Sequence, residues 1–182
     1  MGLVVTVALF IVLIPKTILE YQKRTYDYDL ISKYDEKFES LDHARRKAAK
    51  TCKDYLNLDK PGTNEVNKWE FIEKRDRSHI EPVLDFFEDL GFYLKGDLFS
   101  DYIVHHYFYH WIRGYYSIIQ SYIEFYCDES GDKLAYNHIK LLFQRVSVIE
   151  QENECPKLLL DSKEEKIDFI DDELEGENET KV

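Results

Sequence analysis

The sequence predicts an all-α protein, a single N-terminal transmembrane helix followed by a helical bundle of four or five helices. Three observations predict it. An apolar run opens the chain at Gly2 and continues to Ile14, with Thr6 its one polar residue. Beyond it, apolar residues recur at helical spacing with charged residues between them, and no strand-like alternation of useful length interrupts them. Finally, the chain has seven Gly and four Pro, too few for an all-β chain that turns roughly every eight to twelve residues.

A chain of 182 residues holds one domain with a real core. Its 14 Tyr and 11 Phe supply large burial areas, so a compact interior needs no cofactor, and none is expected. The net charge of −12 is unevenly placed: residues 161–182 hold ten Asp/Glu against three Lys, leaving −5 for the preceding 160 residues. No basic footprint for nucleic acid exists, so nucleic-acid partners are excluded. Cys52, Cys127 and Cys155 form neither a CxxC pair nor an even framework, which fits free thiols in a reducing compartment.

Four parts follow: an anchor at 2–19, a helical stalk at 20–39, a bundle domain at 40–155 and an acidic, partly disordered tail at 156–182. The anchor has 18 residues, about 27 Å as a helix against a hydrocarbon core of about 30 Å, and Lys16 can snorkel at one end. Rival readings are a signal peptide, which lacks a basic n-region and an A-x-A site; a myristoylated Gly2; and a buried soluble helix. Lys16, Lys23 and Arg24 follow the run. By the positive-inside rule the N-terminus lies outside a cell membrane crossed once, with the bulk of the chain in the cytoplasm.

In the stalk, Tyr21, Thr25, Tyr28, Ile31 and Phe38 make a narrow stripe suited to one neighbour or to a second copy. Ser40 is placed to cap the next helix, whose apolar face is Leu41, Ala44, Ala48, Cys52 and Tyr55. Its other side gathers Arg45, Arg46, Lys47, Lys50 and Lys53, five cations in nine residues. Pro61-Gly62 marks a loop before Trp69. Ile80, Val83, Leu84, Phe87, Leu90 and Leu94 trace the next helix, with Pro82 in its first turn and Glu81, Asp85, Glu88 and Asp89 on its polar side. From Leu98 to Cys127 the sequence is apolar on most of a helical circumference, which places this helix mid-bundle, with Gly114 open to a close neighbour. Residues 134–149 form the last core helix; Ile167, Phe169, Ile170 and Leu174 leave room for a short helix in the tail.

Three groups have chemistry to weigh. His106 and His110 share a helical face four residues apart, a spacing that can hold a metal. They lack the Glu of an HExxH motif and would need a third ligand such as Glu88, His138 or Glu124, so satisfied imidazoles in an aromatic belt are the blander reading. The four carboxylates from Glu81 to Asp89 resemble an ordinary solvated face more than an acid–base pair, with Glu88 placed to meet Arg113. The Arg45 to Lys53 face has the best claim to binding, whether anionic headgroups, an acidic partner or the chain's own tail.

The order Val83-Leu84-Asp85-Phe86-Phe87-Glu88-Asp89-Leu90-Gly91-Phe92, then Lys95-Gly96-Asp97-Leu98, then a helix centred on Trp111, Tyr116 and Ile123, is distinctive. It closes with Gly131-Asp132 and Tyr136-Asn137-His138. This series resembles the bacterial membrane-anchored family called domain of unknown function 4760. The resemblance covers residues 19–146 and implies a helical fold and membrane association, with no activity attached. Together these readings describe a membrane-tethered interaction module, not an enzyme, that binds a protein partner or itself; the alternative is a metal-dependent enzyme or sensor using His106 and His110.

Overall fold

A computed structural model describes residues 28–58, 62, 64–152 and 159–175. Among them every regular element is helical, as the periodicity predicts. Residues 28–40 form α1; α2 spans Asp42–Asn57; a 3₁₀ turn covers Asn67–Phe71; and α3 is the single turn Lys74–Arg77. The long elements that follow are α4 (Glu81–Lys95), α5 (Asp101–Ser130), α6 (Asn137–Glu152) and α7 (Lys163–Glu175).

The 30 residues of α5 make a rod about 45 Å long, and the bundle is laid around it. Its Val104, Phe108, Ile112, Tyr115, Ile118, Ile119 and Tyr122 are all buried. A positive φ of 74° at Gly131 ends the rod, its N–H returning to Cys127 O, a turn that a side chain would strain. Around the first half of α5, Phe38, Phe86, Phe87 and Phe108 meet edge-to-face and tilted at centroid distances of 4.9–6.0 Å. At the other half, Trp69 stacks on Tyr55 at 4.0 Å and meets the edge of Tyr122. Such aromatic pairs add about 0.5–1.5 kcal/mol each beyond their burial.

Contacts fix the directions. Along α1, Phe38 meets Phe86 and Phe108, and Tyr34 meets Tyr93 and Phe99, so α1 runs antiparallel to α4 and parallel to α5. Helix α6 lies against α4 and antiparallel to α5, with Tyr126–Tyr136, Tyr116–Phe143 and His105–Glu150 as successive rungs. At Gly91 a Cβ would lie 2.3 Å from the carbonyl oxygen of His138, so only glycine allows α4 and α6 to close here.

Three expectations are corrected. The stretch assigned to a separate stalk enters the core at its described end, with Ile31 and Phe38 of the narrow stripe buried in its own bundle, Tyr28 exposed, and Tyr21 and Thr25 outside the described residues. Ser40 does not cap α2: its hydroxyl donates back to Lys37 O at 2.6 Å, and Asp42 supplies the acidic first turn. The short helix for which the tail leaves room is α7, whose Phe169 and Ile170 are core residues, and residues 176–182 lie outside the described residues. With α1 and α7 added, six helices of the described residues line the core, more than the four or five expected. Gly2 to Leu19 lies outside the described residues, and among those described no helix is long and apolar enough to cross a membrane.

Candidate functional site

Helix α2 carries the five cations of the expected basic face, and α7 covers part of them. Arg45 is 6% exposed, with its guanidinium 4.2 Å from the Phe38 ring centroid and 5.1 Å from that of Trp111. From this aromatic slot its Nη1 reaches Glu173 Oε1 at 3.2 Å, and Asp42 lies 3.6 Å from Nη2. The Tyr115 hydroxyl donates to the other oxygen of Glu173. Farther along α2, Lys53 holds Asp171 at 2.5 Å. Arg46 pairs with Asp42 at 2.8 Å, whereas Lys47 and Lys50 point to solvent. Of the five cations, then, two hold α7, one braces its own helix and two remain exposed.

Burial governs the titration of this cluster. It raises the Glu173 carboxyl, against the lowering effects of the Tyr115 hydrogen bond and Arg45. It raises Tyr115 as well, helped by the neighbouring Glu173 charge. Nearby, Cys52 is fully buried and its thiol is pushed up to about 12. None of these groups is primed as a nucleophile, which requires the opposite shift. The arrangement binds a carboxylate within the fold, using charge, ring faces and a phenol together.

The histidines divide by partner. His105 Nε2 meets Glu150 at 2.5 Å and its ring stacks on Tyr109. His106 is exposed, and His110 lies against the rings of Trp111 and Phe169. Desolvation lowers the His110 pKa; Asp172 opposes this and Arg113 adds to it. Among the described residues, no three His, Cys, Asp or Glu side chains converge to hold a metal. Two residues weighed as third ligands, Glu88 and His138, meet each other instead at 2.6 Å. Glu88 thus pairs with His138, correcting the expected Arg113 contact. Its second oxygen accepts the backbone N–H groups of His138 and Ile139, at 2.9 and 3.1 Å, so one helix caps the start of another.

A second buried polar cluster has no motif in the sequence. Ser121 Oγ accepts from Trp69 Nε1 at 3.0 Å and lies 3.1 Å from the Tyr55 hydroxyl. That hydroxyl also reaches Glu65 Oε2, and Lys68 holds the other Glu65 oxygen. The Tyr55 bond lowers the Glu65 pKa. An open cavity of about 340 Å³ lies alongside, lined by Tyr55, Glu65, Ser117, Gln120, Glu124 and Lys166. Only the helical spacing of Ser117 and Ser121 on an otherwise apolar stretch signals it. A smaller cleft of about 230 Å³ lies between α5 and α6, where Lys133 and Lys140 flank Tyr116, Cys127 and Tyr136. Cys127 is raised by desolvation and by Asp132, Asp128 and Glu124, so its thiol is also unactivated.

No family model matches the chain, and no curated protein or solved structure matches it either.

Proposed function

We propose that this protein is a membrane-tethered helical interaction module, facing the cytoplasm and binding a protein partner or a second copy of itself. The observation supporting it most directly is the apolar run from Gly2 to Ile14, followed by Lys16, Lys23 and Arg24. Such a run partitions into a bilayer, and its flanking cations hold the following chain on the cytoplasmic side. The resemblance to domain of unknown function 4760, which rests on the sequence blocks alone, points the same way. The exposed cations for a partner or headgroup are Lys47 and Lys50, since Arg45 and Lys53 are engaged with α7.

Fractionation of cells expressing the full chain with a C-terminal tag tests the tether. Carbonate-resistant pelleting with a protease-protected tag supports it; a carbonate-soluble protein overturns it. For the binding role, Lys47→Glu with Lys50→Glu separates two cases. Lost binding to anionic vesicles beyond the tether assigns those lysines to headgroups. Unchanged membrane behaviour with lost cross-linking assigns them to a protein.

A further inference from the structure

The bundle has two unlike ends. Following α1 back from Phe38 to Tyr34, its neighbours on α4 advance from Phe86 to Tyr93, and on the α5 side they retreat from Phe108 to Phe99, just before α5 starts. The start of α1 therefore lies where α4 finishes and α5 begins. The joint there is tight: Leu98 N–H returns to Tyr93 O and Asp97 N–H to Leu94 O, both at 3.1 Å. Besides Phe92 in the last turn of α4, three large side chains stand outward around the joint: Tyr28 at 56%, Leu98 at 43% and Tyr102 at 64% exposure. Beneath them Ile31, Leu94 and Phe99 are buried, so the three crown the end of a closed core.

Chain geometry says what lies nearest this crown. The apolar N-terminal segment ends at Leu19 and α1 is in place by residue 28, leaving the eight residues 20–27 between them. Eight residues reach at most about 29 Å even when fully extended. A span in the bilayer thus keeps the α4–α5 joint within about 29 Å of the headgroup level, at millimolar effective concentration or higher. Tyr and Leu at that depth are the side chains an interface accepts: an apolar body with, for Tyr, a polar tip.

Resting on the tethered reading, we propose that the Tyr28–Leu98–Tyr102 end of the bundle docks onto the lipid interface, standing α5 on the membrane. The far end, with Trp69 and Phe71, is then held about 30 Å from the surface, the rise along α5 from Tyr102 to Tyr122. Tether and crown act together. Three side chains bind a bilayer weakly alone, and the tether removes most of the cost of encounter.

The full chain is reconstituted into vesicles of phosphatidylcholine and phosphatidylglycerol, with or without bromines on the acyl chains. Tyr102→Trp adds a reporter at the crown; Phe71→Trp adds one at the far end, where Phe71 is 51% exposed. Emission from Trp69 and Trp111 is subtracted using the unaltered chain. The expected result is that bromolipids remove most of the Tyr102→Trp emission and leave Phe71→Trp unchanged, and that adding Leu98→Asp restores the former. Carbonate-resistant protein with neither reporter quenched overturns docking and leaves the tether standing. Equal quenching of both overturns the upright arrangement. Emission at Tyr102→Trp that follows protein concentration and not bromination gives the crown to a second copy and overturns the lipid assignment. Release of the protein by carbonate overturns the tether and docking together.

Discussion

Two glycines and one carboxylate show how much single residues decide here. A Cβ at Gly91 would meet a backbone carbonyl at 2.3 Å, whereas at Gly114 it would meet the Phe169 ring at 2.2 Å. A ring turns aside more readily than a helix moves. Gly114→Ala is therefore expected to cost about 1–3 kcal/mol and Gly91→Ala more, measured by urea unfolding. The sequence marked Gly114 as a close approach, but the neighbour is a side chain of α7 and not a backbone. Glu173 escapes sequence reading altogether, as one acid among ten in residues 161–182. Its burial beside Arg45 appears only when α7 is laid on α2. Truncating it by Glu173→Ala removes the acceptor of a buried guanidinium, with Asp42 as residual partner, at an expected cost of about 3 kcal/mol. Because burial raises its folded pKa, Glu173 holds its proton more tightly in the fold than in the unfolded chain. That stabilisation is complete below the ordinary value of 4.5 and lost as pH rises through the folded value. Glu173→Gln should flatten the fall in stability immediately above 4.5. An unaltered pH profile would place the proton elsewhere.

Elements are legible to the degree that their apolar period is wide. Helices α4 and α5 follow from spacing, because four or more large apolar residues recur on one face and Pro82 and Gly131 mark their ends. The stripe of α1 fixes a helix but not its partner; a narrow seam suits a second copy as well as a neighbouring helix, and here Phe86 and Phe108 take it. The spacing starts α6 at residue 134, three before Asn137, but its cap could not be read, since it comes from Glu88, fifty residues away. With the charged oxygens gone, the His138 and Ile139 amides lose their acceptor in a partly buried setting. Glu88→Ala should cost about 1–2 kcal/mol. Hydrogen exchange in the first turn of α6 is expected to accelerate well before the rest of that helix does. Uniform acceleration along α6 would show that Glu88 acts through the α4–α6 contact as a whole.

At the scale of the whole molecule, charge segregation along the chain becomes charge pairing in space. Residues 161–182 hold −7 of the −12, and α7 sets Asp171 and Glu173 against Lys53 and Arg45 of α2. Exposed ion pairs such as Lys53–Asp171 contribute little by themselves, about 0–1 kcal/mol. The hold on α7 is thus mainly the burial of Phe169 and Ile170, with the charges choosing which face they reach. Ile170→Asp places a new anion at a position with no exposure and should undock α7 while leaving α5 and its aromatic neighbours intact. The undocked chain uncovers Arg45 and Lys53 beside Lys47 and Lys50, converting a half-neutralised face into a basic one. Limited trypsin digestion is expected to cut rapidly at Lys163 and Lys166 in the variant and slowly in the unaltered chain. Added salt should change this contrast little, because burial and not ion pairing closes the contact; a contrast abolished by moderate salt would reverse that ranking and make charge the force that folds the tail onto the bundle.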